Sequence, residues 1–111
     1  PLIRVSLGSA LLGTENPKYV PLAREQLETS LQMENDNPLA WYELAEAYNR
    51  LGLAGKAELA TAERYFAMDA YPQAMQFAYR AQRQLAGGTT EWQRANDIAA
   101  IAQAQIPNRR N

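Results

Sequence analysis

Apolar residues recur along this chain at the three- and four-residue intervals of an amphipathic helix. The clearest such stripe consists of Ala74, Phe77, Ala78, Ala81 and Leu85. These intervals place all five side chains on one face of a helix, with polar residues opposite. Proline, glycine and capping residues divide the chain into about six segments of this kind, joined by short connections. The pattern therefore predicts an all-α fold in which every helix buries one apolar stripe.

Residues that begin and end helices stand at the boundaries between these segments. Asn37 and Pro38 form a cap and first-turn pair, because the Asn side chain can accept from a free amide and Pro has no amide to leave unpaired. Gly52 follows the third segment, where a left-handed residue closes a helix. Thr90 and Gln93 have the spacing of a capping box. These residues predict helix starts at Asn37 and Thr90 and a helix end at Gly52.

The sequence also repeats at an offset of 37 residues, so that Pro1 falls on Pro38 and Leu7 on Leu44. The tetratricopeptide (TPR) pattern has a period of about 34 residues and places an aromatic residue, a Leu-small pair and a Tyr on its first helix. The residues at those positions are Trp41, Leu44, Ala45 and Tyr48. In these features the chain resembles a TPR domain. The resemblance implies an α-α superhelix, a right-handed solenoid of about six antiparallel helices in three hairpins.

The TPR resemblance also divides the chain. We expect a single helical repeat domain over residues 1–106, with hairpins at about 1–34, 37–69 and 70–105, and a frayed tail at 107–111. The fourth and fifth helices do not fall on a single register, since the fourth can be the second half of one repeat or the first half of the next. The repeat count therefore stays open.

Composition excludes several classes of function. Histidine and cysteine are absent, which removes the Ser-His-Asp triad, cysteine nucleophiles, thiolate zinc sites and the His-Glu-x-x-His helix of zinc proteases. The net charge of −1 gives no field that would attract nucleic acid. No apolar stretch approaches the roughly 20 residues that a membrane helix needs. We therefore expect no catalytic, cofactor or metal site in this fragment, no nucleic-acid partner and no membrane insertion.

Two pairs of acids are the remaining candidates for site chemistry. Glu25 with Glu28, and Glu43 with Glu46, have helical spacing that could hold a hard cation or support acid-base work. Without histidine or a third converging acid, solvated surface charge is the favoured interpretation. The larger aromatic residues are predicted to be packing anchors between helices. These are Trp41, Tyr48, Tyr65, Phe66, Phe77 and Trp92.

Binding residues are predicted from the TPR resemblance, in which the first helix of each hairpin lines a concave groove. The matching positions are Val5 and Ser9 in the first repeat, and Tyr42, Glu46, Asn49 and Arg50 in the second. Their mixed polarity suits an extended peptide held by its backbone and a few polar contacts. For each residue alone, plain exposed surface is an equally open interpretation.

A narrower resemblance rests on residues 81–98 (AQRQLAGGTTEWQRANDI) and on the preceding Ala62-Glu63-Arg64-Tyr65. This Ala-rich sequence is similar to the carboxy-terminal TPR region of BepA-type bacterial zinc metallopeptidases, and the similarity extends over nearly the whole chain. It implies a periplasmic, non-catalytic, substrate- or partner-engaging part of a metalloendopeptidase that acts in envelope protein quality control. The zinc and the catalytic residues would lie upstream, in another domain. A start at Pro1 without Met fits an excised domain.

Two other functions stay open. The chain could be a free-standing TPR adaptor or co-chaperone whose groove binds a peptide segment, or a self-assembly module that stacks end to end through its terminal helices. In each case the expected partner is a protein or peptide, and an oligomer is compatible with the sequence.

Overall fold

A computed structural model of the chain describes residues 2–107, with side chains from Arg4 onward. This part of the chain is all-α, as predicted, and contains no strand. The residues at 1 and 108–111, which include most of the predicted tail, lie outside it. A 3-10 turn, Pro17–Tyr19, precedes the second helix. The helices are α1 (Leu2–Gly13), α2 (Val20–Met33), α3 (Pro38–Arg50), α4 (Ala54–Ala67), α5 (Tyr71–Gln84) and α6 (Thr90–Gln105).

The boundaries of α3 follow the local signals in the sequence. The Asn37 side-chain oxygen accepts hydrogen bonds from the amides of Leu39 and Ala40, at 3.1 and 3.2 Å, and Pro38 is the first helical residue. Gly52 has φ +75°, in the left-handed region that glycine adopts without a Cβ penalty. The predicted cap and the predicted stop of this helix are therefore confirmed.

The cap of α6 differs from the prediction by one residue. Thr89, with extended backbone angles, is the N-cap, and its hydroxyl accepts from the Trp92 amide at 3.1 Å. Thr90 is already helical, and its hydroxyl lies 3.3 Å from the Glu91 carboxylate. The capping box of Thr90 with Gln93 is therefore wrong, because the cap must precede the first residue with helical angles.

The buried residues form two apolar clusters that meet at α4. The first lies among α1, α2, α3 and the first half of α4, and its α4 members are Ala57 and Ala60. The second lies among the second half of α4, α5 and α6 and includes Ala62 and Ile98. Most residues of the second cluster are Ala, which lets neighbouring helix backbones approach closely. The helix α4 thus has an apolar face toward each side of the domain.

Contacts between helices show how the array is arranged. Each helix packs against its neighbours in sequence, and the main contacts between alternate helices join α1 to α3 and α4 to α6. The helix α4, which fitted two registers in the sequence, packs against α3, α5 and α6. The division into three hairpins stays a prediction.

Among the described helices, none combines the length and the apolar character that crossing a membrane requires.

Candidate functional site

The predicted groove residues of α3 lie together on its exposed face. Tyr42, Glu46, Asn49 and Arg50 all face solvent, because the intervals of four, three and one keep them within one side of the helix. The opposite side of α3 is buried through Ala40, Leu44 and Ala47. The sequence thus placed these four side chains on one surface, and their contact with a ligand stays a prediction.

The two predicted groove residues of α1 are less accessible. Val5 is only 4 % exposed and belongs to the first apolar cluster, so the expectation that it faces a groove is not met. The reason is that Val5, Gly8 and Leu12 share the face of α1 that is buried in the core. Ser9, one residue further around the helix, is half-buried.

Arg50 also has a structural role. Its Nη1 donates to the carbonyl oxygen of Leu12 at 3.0 Å, which satisfies an acceptor near the end of α1. Its Nε donates to Glu46 Oε2 at 2.7 Å. Glu28 is similarly paired with Arg24, at 3.2 Å. Glu28 and Glu46, each from a candidate acid pair, thus bind arginines one turn away. The described residues contain no group of three or more His, Cys, Asp or Glu side chains that could hold a metal ion.

An apolar groove lies between the start of α3 and the end of α4. Leu39 and Tyr42 of α3 are 55 and 53 % exposed, and Met68, which follows α4, is 50 % exposed. Together with Pro38 and Arg64 they line a cavity of about 220 Å³, and we call these five residues the α3–α4 groove. Exposed apolar side chains that lie next to one another make this groove a candidate surface for binding a partner.

Two tyrosine rings hold the Arg64 guanidinium beside this groove. Its Cζ lies 5.0 Å from the centroid of the Tyr42 ring and 5.1 Å from that of Tyr65, distances at which a cation is attracted to the ring face. Within residues 4–107, Arg64 forms no ion pair, whereas Arg24, Arg50, Arg80 and Arg94 each pair with a glutamate. Hydrogen-bond donors of Arg64 therefore stay available to a ligand. Leu39, Arg64 and Met68 were not predicted as site residues from the sequence, since none of them belongs to a motif that indicates binding.

A second cleft lies around Trp41 and Tyr48. Together with Glu28, these two residues line two adjoining cavities of about 350 and 200 Å³. Tyr48 is nearly buried, and its hydroxyl donates to Glu28 Oε2 at 2.5 Å. The Trp41 Nε1 donates to the Asn35 carbonyl oxygen at 2.7 Å. Both aromatic residues pack into the first cluster, as predicted for anchors, and in addition they form the wall of this cleft.

The environment of Tyr48 raises the pKa of its phenol well above the ordinary value of 10.0, through burial first and then through the hydrogen bond to Glu28 and the charge of Glu28. A raised pKa means that the folded state favours the protonated phenol over the ionised one, so ionisation of this phenol destabilises the fold. The contribution of the protonated phenol is present in full below about pH 10, where the unfolded phenol is still protonated, and it is lost as the pH rises through the folded pKa.

Tyr48→Phe is therefore expected to lower the free energy of unfolding at neutral pH by about 1.5–3 kcal/mol, the contribution of a hydrogen bond to a charged group. Urea denaturation should also show a smaller loss of stability above pH 10 for the variant than for the parent protein. Tyr79→Phe, which alters an exposed tyrosine of α5, is the control and should change stability little. An alkaline loss of equal size in both variants would contradict the role given to Tyr48.

Comparison of the chain with protein-family models, with curated proteins and with solved structures finds no match. The TPR and metallopeptidase resemblances accordingly stay predictions from the sequence. The candidate site consists of the α3–α4 groove and the exposed face of α3 that continues from it.

Proposed function

We propose that this chain is a protein-interaction domain that binds a peptide segment in the α3–α4 groove and along the exposed face of α3. The observation that carries the proposal is the exposure of Leu39, Tyr42 and Met68 around one cavity. Covering these side chains removes apolar surface from water, which is the main driving force of protein association. Glu46 and Asn49, further along the same face, supply polar groups that can set the register of the segment.

The sequence resemblance gives this binding a biological setting. In a BepA-type metallopeptidase, a helical repeat of this kind would hold substrate or partner proteins for a protease domain elsewhere in the polypeptide, and the chain itself would cut no bond. A free-standing TPR adaptor would use the same groove. Mass spectrometry of the natural protein separates these two settings, since only the first requires a polypeptide that also contains a His-Glu-x-x-His segment.

Self-assembly is a second candidate, favoured by a different observation. Leu7 of α1 and Ile101 of α6 are exposed apolar residues on the first and last helices, where repeat arrays continue into a neighbouring unit. Sedimentation of the purified chain over a range of concentrations tests this candidate. A monomer at every concentration would contradict it.

Peptide binding is tested by selection from a synthetic library with acetylated and amidated ends, followed by fluorescence anisotropy. We expect Tyr42→Ala to weaken binding of the selected peptides by roughly tenfold or more, since an aromatic residue central to an interface commonly contributes at least about 1.4–2 kcal/mol. Tyr79→Ala, on α5 and outside the groove, is the matched control and should bind like the parent chain. Circular dichroism should show unchanged helicity in both variants. Failure to select any peptide from this library and from one with free carboxy termini, or equal binding by Tyr42→Ala, would overturn the proposal.

A further inference from the structure

Arg64 gives the ligand of the α3–α4 groove a specific chemistry. We infer that the groove takes a peptide segment in which an Asp or Glu side chain lies next to apolar side chains, with its carboxylate bound by the Arg64 guanidinium. This inference rests on the proposed function and adds the class of ligand to it. Its basis is an unpaired cation at a site lined otherwise by apolar groups.

The position of Arg64 favours a carboxylate. The rings of Tyr42 and Tyr65 lie about equally far from its Cζ, at 5.0 and 5.1 Å, so the guanidinium is already ordered before a ligand arrives. A planar guanidinium offers its N–H groups in a fork that matches a carboxylate. Because the side chain is preorganised, less entropy is lost on binding than for an arginine that moves freely.

The charges around the groove also favour an anion. Pro38, Leu39, Tyr42 and Met68 carry no charge, so an incoming carboxylate meets no like charge among the lining residues. The start of α3 and the end of α4 both border the groove. The opposite partial charges of these two helix ends offset each other. The net positive charge therefore comes from Arg64.

The apolar lining defines the rest of the ligand. Leu39 and Tyr42 come from α3, whereas Met68 follows α4, so a bound segment must contact both helices to cover all three side chains. A segment that continues on both sides of its acidic residue can do so. A carboxylate at the end of a chain leaves one side without a peptide neighbour. For this reason we assign the carboxylate to an internal Asp or Glu.

The test uses peptides selected with blocked ends, each paired with a version in which the acidic residue is replaced by Gln or Asn. We expect the acidic peptide to bind at least about tenfold more tightly than its amide partner, and Arg64→Gln to remove this difference. Arg64→Lys should retain part of it, because a lysine keeps the charge without the planar fork. Arg83→Gln removes the same charge from an exposed position of α5 and should leave the preference unchanged.

Each other outcome overturns a stated part. Peptides whose binding depends on Tyr42 but not on Arg64 or on the acidic residue would overturn this inference and leave the proposed function intact. Equal weakening of acidic and amide peptides by Arg64→Gln would mean that Arg64 only holds the Tyr42 ring in place and binds no carboxylate. This result would overturn the inference as well. In a parallel selection with free carboxy termini, binding that is lost when that end is amidated would overturn the assignment to a side chain. If no peptide binds in either selection, both proposals fail.

Discussion

Replacing Leu27 with Ala is expected to lower the free energy of unfolding by about 3–4 kcal/mol, a large share of the total stability of roughly 5–15 kcal/mol that a domain of this size has. Leu27 is fully buried and is one of the two largest side chains in the core to be so. Its truncation loses the transfer free energy of the removed atoms and leaves a cavity that its neighbours fill only in part.

Urea denaturation measures this loss, and α2 contains a matched control. Leu22 lies on the same helix but is 41 % exposed, so Leu22→Ala is expected to change stability by only about 0.5 kcal/mol. Similar losses in the two variants would show that the face of α2 assigned to the core is not the one that stabilises the domain.

Gly8 of α1 packs against Leu27 of α2, so substitutions at these two positions test the contact between the helices. A Cβ at position 8 would lie 2.7 Å from Leu27 Cγ, a distance that requires the leucine to move. Gly8→Ala should therefore cost about 1–3 kcal/mol in the parent chain. In the Leu27→Ala background the clash is absent, and the same substitution should stabilise the protein by up to about 1 kcal/mol through the higher helix propensity of Ala. A double-mutant cycle with no coupling would contradict this contact.

The second large effect is expected at the ion pair between α4 and α6. Arg94 donates from Nε and Nη2 to the two carboxylate oxygens of Glu63, both at 2.8 Å. Glu63 is buried, and its hydrogen bonds with Arg94 raise the pKa of the guanidinium above its ordinary value, against the lowering effect of burial. Arg94→Met should therefore cost about 3 kcal/mol, since it leaves a buried carboxylate without its partner. The lower end of the usual range applies because the Arg94 side chain is 38 % exposed.

Thermal and urea unfolding of the double variant identify the cause of that loss. When Glu63 and Arg94 are both replaced by Met, the uncompensated charge is gone, and most of the stability should return. Arg80→Met is the control, because the Arg80 pair with Glu58 also involves α4 but its arginine is 54 % exposed. It should cost less than Arg94→Met, because Glu58 is 19 % exposed and Glu63 only 9 %. A double variant no more stable than Arg94→Met alone would contradict the explanation by an unpaired charge.

Helix boundaries could be predicted where one or two neighbouring residues decide them. Asn37 with Pro38 and the left-handed Gly52 ended up in the predicted roles, because a side-chain cap and a positive φ act over three or four residues. The choice between Thr89 and Thr90 was different. Either hydroxyl could cap a helix, and the extended backbone at Thr89 decided which of them did.

The candidate site was only half predictable. The helical period placed Tyr42, Glu46, Asn49 and Arg50 on one exposed face of α3. The 37-residue repeat offset makes Val5 the counterpart of Tyr42, yet Val5 is buried. A periodic pattern identifies which residues share a face, but the neighbouring helices determine whether that face is covered.

By itself, the sequence determined that the described part of the chain is helical, where α3 begins and ends, and which side chains share a face. These properties depend on interactions within a few residues of one another. Only the tertiary structure decided that α4 takes part in both apolar clusters and that Arg64 and Met68 join Leu39 and Tyr42 in one groove. These groups lie on different helices. Their proximity depends on how Ala-lined helices approach one another, and no local pattern encodes that approach.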